Sequence, residues 1–284
     1  MARHRVDKGK MVLLFALFVG LAVMLYPTIS NWWNSFHSSL AVTNYSETVD
    51  SLDEAQKEAM LSEARAFNAQ LADAGEISAL SAVQKERYEQ LLNPGNDGIM
   101  GSIEIPTLGV KLPLYHGAEE AVLQVGAGHL EWTSLPVGGE STHCVLSGHR
   151  GLPTARLFTD IDKLSEGDVF ILRVLDEVLY YQVDQKKTVL PDQIDDLRIE
   201  EGKDYCTLVT CTPYGINTHR LLVRGHRIDA YDGLAEEVGA SDAKRVLGGF
   251  LVAAVVLLGG IALVLRKLHQ RRILERKGGM PLVS

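Results

Sequence analysis

Three side chains in the second half of the chain have the types and settings that acyl transfer requires. Cys211 closes the apolar run TLVTC and is followed at once by Thr212-Pro213-Tyr214-Gly215. A residue at a strand's end, beside a Pro/Gly loop, is presented at the rim of a sheet. The thiolate is the nucleophilic form, and a thiol of ordinary pKa, about 8.5, needs a nearby cation or base to reach it. His149 follows the run HCVLS in the glycine-flanked turn GHRG, a second rim position. Arg220 opens RLLVRG nine residues beyond Cys211, so a tight loop returns its guanidinium to the thiol. A cysteine nucleophile, a histidine acid–base and a fixed cation are the parts of covalent acyl transfer.

Each residue has a competing reading. Cysteine is commonly a small buried hydrophobe, and Cys144 and Cys206 are read that way. Cys206 lies five positions before Cys211 and faces the other side of a regular strand, which makes a disulfide between them geometrically poor. Zinc is the next rival, because His143, His149, His219 and His226 accompany the cysteines. No pair has the C-x2-C or H-x3-H spacing of a structural zinc site, so the expectation is no metal and no cofactor. His219 is an alternative base, although neighbours on a strand face opposite ways. Arg150, Arg224 and Arg227 read as solvated or ion-paired surface residues. Ser147 lacks the Gly-x-Ser-x-Gly setting of a serine hydrolase.

The elements that must hold these residues begin after the turn cluster Asn93-Pro94-Gly95-Asn96-Asp97-Gly98. From there short β-branched and aliphatic runs at 99–105, 110–115, 143–146, 168–175, 178–183, 205–210 and 220–228 are punctuated by Gly, Pro and Asp. That pattern predicts a mostly β domain, an antiparallel sandwich or barrel, with one short helix over 154–162. Upstream, Met60, Ala64, Phe67 and Leu71 recur at helical spacing. A second helical stretch covers 80–92 after a break at Asp73-Ala74-Gly75. The pair is expected to pack on the domain behind it, or else to space that domain from a membrane.

Membrane segments are expected at both ends. Residues 11–26 carry no charge and follow Arg3, Arg5, Lys8 and Lys10, the layout of a signal peptide or retained signal anchor. Trp32 and Trp33 suit an interfacial aromatic belt, which favours retention. Residues 246–265 are uncharged over 20 positions, about the span of a ~30 Å hydrocarbon core. A basic tail follows, so both termini are expected in the cytoplasm. The basic ends hold +3 and +5 of the net −8, leaving −16 between them. An acidic middle argues against nucleic-acid binding, and three cysteines are too few for a disulfide scaffold. The expected organisation is a cytoplasmic segment at 1–10, an anchor at 11–27, a helical region at 28–92 and a barrel at 93–229. A linker at 230–245, a second span at 246–265 and a cytoplasmic tail at 266–284 complete it, with the middle outside the cell.

TLVTC followed by TPYGINTHRLLVRGHR resembles the sortase signature, in which a strand ends in the nucleophilic cysteine and the next begins with the essential arginine. The segment GHLEWTSLPVGGESTHCVLSGHRGLPTARLFTDIDKLSEGD is similar to the one bearing the sortase histidine, and the likeness runs over 92–228. Combined with an N-terminal anchor and a C-terminal span, it looks like class C, the pilin-polymerising sortases of Gram-positive bacteria. The resemblance implies a closed eight-stranded β-barrel with N-terminal and flanking helices, and Cys211, His149 and Arg220 at one end of a groove. It implies a cysteine transpeptidase that cleaves an LPXTG-type sorting signal between Thr and Gly and joins the acyl group to a pilin lysine. Its partners would be pilin subunits or other surface proteins bearing that signal. The alternatives are a sortase anchoring single proteins to cell-wall peptidoglycan, with a peptidoglycan precursor as the amine, and a non-enzymatic anchored adhesin or scaffold. One departure stands out. Class C members commonly carry a lid with an Asp-Pro-aromatic motif, but this chain has no Asp-Pro, and the corresponding stretch reads LADAGEISALSAV. The expectation is an altered or missing lid, with Asp73 or Ile77 as improvised plugs or an open groove.

Overall fold

Eight strands close into a barrel in the order β1-β2-β3-β4-β7-β8-β6-β5. They are β1 (Ile99–Ile105), β2 (Val110–His116), β3 (Ala127–His129), β4 (Thr142–Ser147), β5 (Val169–Val174), β6 (Glu177–Val189), β7 (Asp204–Thr212) and β8 (His219–Ile228). The computed structural model describes residues 8–74 and 80–231. The expected second span, most of the linker and the basic tail lie outside the described residues.

Alternation of side chains sorts the strands' residues into two layers. Cys144 and Leu146 of β4, Cys206 and Leu208 of β7, and Leu221 and Val223 of β8 join the main core with Met100, Leu114, Phe170 and Tyr181. Val145, Val209 and Leu222, the intervening residues, form a separate apolar cluster on the outer face with Val189 and Leu197. The barrel is mixed rather than purely antiparallel: β2 pairs with β3, and β4 with β7, in parallel. Sequence could not reveal this, because the long β4–β7 crossover contains the β5–β6 hairpin instead of the helix that usually marks a parallel pair.

The helix expected over 154–162 is absent. That segment is a series of turns ending in a 3-10 turn at Ile161–Lys163. Leu157 adopts a positive φ of 38°, incompatible with a continuing right-handed helix, and the Phe158 N–H donates back to the His149 carbonyl.

Helix α1 (Lys8–Asp50) runs 43 residues with Pro27 inside it, well past the anchor boundary expected near residue 27. Among the described residues it is the one helix long and apolar enough to cross a membrane. Its last turns lie on the barrel: the Tyr45 hydroxyl donates to the Met100 carbonyl and accepts from the Leu175 N–H. Helices α2 (Glu54–Ala74) and α3 (Ala82–Gln90) add Leu61, Ala64, Phe67 and Tyr88 to the main core. Asn68 of α2 exchanges two hydrogen bonds with the Leu135 backbone. Ser81 and Gln84 make a reciprocal capping box at the start of α3. Tyr88 of α3 is 1% exposed, and its hydroxyl meets His129 Nδ1 at 2.9 Å.

Candidate active site

Strand register brings Cys211, His149 and Arg220 to one level. The antiparallel β7–β8 ladder pairs Cys211 directly with Arg220. On the other side of β7, the parallel β4–β7 ladder carries a constant offset, from Thr142 opposite Asp204 to Ser147 opposite Val209. The offset persists past the end of β4. The Gly148 carbonyl accepts from the Thr210 hydroxyl at 2.7 Å, and Arg150 Nη1 donates to the Thr212 hydroxyl at 3.1 Å. His149 lies between those two ties, alongside Cys211.

The same alternation decides the face. Cys211 follows Val209 by two positions and Arg220 precedes Leu222 by two, so both share the outer face with the apolar cluster. Val145, Ser147 and His149 continue that parity on the β4 side. Cys211, Arg220 and His149 thus lie at one level on adjacent lines of the barrel wall, with Val145, Val209 and Leu222 as an adjoining apolar floor and Leu130, Trp132 and Ile194 at its margins. Cys211 is half-buried, so its sulfur is reachable. Arg220 Nη1 donates to the carbonyls of Asn217 and His219 at 3.3 and 3.1 Å, which holds the guanidinium against its own loop.

The other candidates go elsewhere. Cys144 and Cys206 are register partners inside the core, 2% and 0% exposed. Burial and the neighbouring Cys144 push the Cys206 thiol well above its ordinary pKa, the opposite of what a nucleophile needs. All three cysteines are free. His143 is buried, with Nδ1 donating to the Arg198 carbonyl and Nε2 accepting from the Thr207 hydroxyl, both at 2.8 Å. His226 stands 3.7 Å from Asp184, and His219 contacts the Thr218 hydroxyl one position out of phase with Arg220. Arg224 pairs with Asp184 at 3.0 Å and lies 4.1 Å over the Tyr205 ring. Arg227 lies 5.8 Å from the centre of the Tyr181 ring. Arg150 is no surface residue: its side chain is 10% exposed, and it pairs with Asp162 at 2.5 Å while tying the histidine loop to Thr212.

Residues 103–228 match the sortase domain family model. The structure of sortase C1 from Streptococcus agalactiae is 50% identical, with a TM-score of 0.66, covering 67% of this chain and 99% of that one. The chain belongs to the sortase family. A Clostridium perfringens sortase C, solved with the C-terminal cell wall sorting motif, is 43% identical with a TM-score of 0.59, covering 68% of this chain and 100% of that one. Among curated relatives, sortase A of Bacillus anthracis is 30% identical over 127 residues, covering 45% of this chain. The present chain spans 59% of that relative's length.

Sequence reasoning missed one polar neighbour of this sortase site. Glu120 opens α4 (Glu120–Leu123), and both its carboxylate oxygens lie 3.2 Å from His149 Nε2. Hydrogen bonds from Gln124 and then His149 hold the carboxyl below its ordinary pKa. A four-residue helix has no periodicity to read, and β3, three residues long, was missed for the same reason. Of the two residues considered as plugs, Ile77 lies outside the described residues. Asp73 lines a groove of about 590 Å³ beside Phe67, Leu71, Trp132, His143 and Leu197, whose lining includes none of Cys211, His149 and Arg220.

Proposed function

We propose that this sortase is a class C cysteine transpeptidase that cleaves an LPXTG-type sorting signal between Thr and Gly and transfers the acyl group to a pilin lysine. The observation that carries the reading is the alignment of Cys211, His149 and Arg220 at one level of three neighbouring strand lines. Cys211 Sγ attacks the Thr carbonyl, the Thr–Gly bond breaks, and a thioacyl enzyme forms. His149 protonates the departing amine and then takes a proton from the incoming one. Covalent capture conserves the acyl group's activation, so one peptide bond is exchanged for another without a nucleotide. Arg220 supplies a permanently charged, planar donor for the developing oxyanion or the substrate backbone. Glu120 orients the imidazole. The apolar floor of Val145, Val209 and Leu222 is suited to the Leu-Pro side of the signal.

The membrane assignment belongs to the same proposal: α1 anchors the barrel outside the cell, and residues 246–265 make a second span with both termini inside. The domain boundaries follow from it. Identity to class C structures of 42–50% favours the pilin lysine over a peptidoglycan amine. The test offers the full chain a sorting-signal substrate with either a pilin domain or a peptidoglycan stem peptide as acceptor. An isopeptide-linked product with the pilin domain is expected. Product with the stem peptide alone would replace the pilin reading, and unchanged polymer formation by Cys211→Ala in pilin-expressing cells would leave a scaffold role.

A further inference from the structure

The direction in which α1 crosses the barrel fixes which end of the barrel looks back along the helix. Asn31 and Asn34 bond the segment just beyond the histidine loop: the Arg156 N–H donates to Asn31 Oδ1, and Asn34 Nδ2 donates to the Thr154 carbonyl, both at 2.9 Å. Eleven residues later, Tyr45 bonds Met100 near the start of β1 and Leu175 just past the end of β5, at the barrel's opposite end. The end carrying His149, Cys211 and the start of β8 is therefore the one nearest the apolar half of α1. Asn31 and Asn34 lie five and eight residues beyond Tyr26, where the apolar stretch 11–26 gives way to Pro27-Thr28. At 1.5 Å per residue that is about 8–12 Å along the axis, close to the outer edge of a headgroup layer about 5–8 Å deep.

The neighbouring loop between β7 and β8 is built for that position. Its turn is closed by the Ile216 and Asn217 N–H groups donating to the Pro213 carbonyl. At its tip Tyr214 and Ile216 are 60% and 67% exposed. The loop abuts the histidine turn: a Cβ placed on Gly151 would lie 3.1 Å from the Tyr214 ring. Single exposed apolar residues need no explanation. Here an aromatic and an aliphatic share one loop tip, at the end facing the anchor, and tyrosine is a residue of membrane interfaces.

We propose that the β7–β8 loop of this protein is a membrane-contact element whose Tyr214 and Ile216 rest in the lipid interface, so that the active-site rim lies at the bilayer surface. This rests on the reading of α1 as the anchor. The attraction is apolar, because the −16 held between the basic ends gives the domain no net pull toward anionic lipid. A substrate still held in the lipid then meets the thiol without leaving the surface.

The test reconstitutes full-length Cys211→Ala protein in phosphatidylcholine vesicles. Single added cysteines, Ile216→Cys, Asp176→Cys and Leu17→Cys, carry a fluorophore quenched by brominated acyl chains. Cys144 and Cys206, 2% and 0% exposed, are shielded from labelling. Quenching is expected to be strong at 17, intermediate at 216 and absent at 176, in the turn at the far end of the barrel. Quenching at 17 with none at 216 overturns the loop contact and leaves the anchor standing. No quenching at 17 overturns the anchor reading, and the loop contact falls with it.

Discussion

Gly148 is the point at which packing most directly controls the chemistry. It precedes His149, and a Cβ built on it would lie 2.6 Å from two ring atoms of Phe158, which is fully buried. Its φ lies outside the left-handed region, so the strain of Gly148→Ala comes from this contact alone. Restoring an ordinary separation of 3.4 Å requires a displacement of about 0.8 Å, and a packed ring yields little of it. The histidine turn must take up most of the shift. Misplacing a catalytic group by about 1 Å costs on the order of 10²-fold in rate, and overpacking of this kind destabilises by about 1–3 kcal/mol. The assay is cleavage of an internally quenched sorting-signal peptide by the full chain in micelles, with thermal unfolding and the alkylation rate of Cys211 measured alongside. A fall in kcat/KM of about 10²-fold is expected, with the thiol still alkylated, and Phe158→Ala, which removes both contacted atoms, should recover part of the loss when added to Gly148→Ala. Wild-type kcat/KM in Gly148→Ala alone would refute the argument that this contact sets the histidine's position.

Further outcomes follow from other contacts. Arg220→Lys keeps the charge but loses the planar fork, and peptide cleavage should fall by about 10²-fold with the melting temperature little changed. Glu120→Gln should lower kcat with KM nearly unchanged and leave unfolding unaffected, since the carboxylate side chain is 71% exposed. Tyr88→Phe strips the buried partner from the Gly117 N–H and from His129, and should cost about 1–3 kcal/mol in denaturant unfolding. Burial holds the His143 imidazole below its ordinary pKa. Its contribution is fully present above the unfolded-state value and is lost as pH falls through the folded-state value. The melting temperature should therefore drop on acidification below neutrality, less steeply in His143→Gln.

The parts of this fold legible in the sequence are those with a local cause. A strand with period-2 alternation and a Pro/Gly stop places Cys211 at a rim on its own information, and β1 spans Ile99–Ile105, as the alternation predicts. Arg220 was legible because a short loop leaves an antiparallel partner little choice of position. The approach of His149 was not, since it depends on the parallel β4–β7 register, and that pairing is set by closure of the whole barrel. Non-local contacts also explain the helix wrongly expected over 154–162. Its Thr154, Arg156 and Phe158 backbone groups bond Asn34, Asn31 and His149, and its own bonds are three-residue turn bonds such as the Thr159 N–H to the Arg156 carbonyl. The unbroken run of α1 past Pro27 has a similar cause, because Ser38 and Tyr45 anchor its later turns to the barrel.

The central claim is that Cys211 carries the acyl group. Its most direct measurement is intact-protein and peptide mass spectrometry of the full chain, quenched in acid during turnover of a sorting-signal peptide. The account predicts an adduct on Cys211 with the mass of the peptide up to Thr, a released fragment beginning with Gly, and loss of both in Cys211→Ala. Cleavage that persists in Cys211→Ala, or an adduct on any other residue, would contradict it.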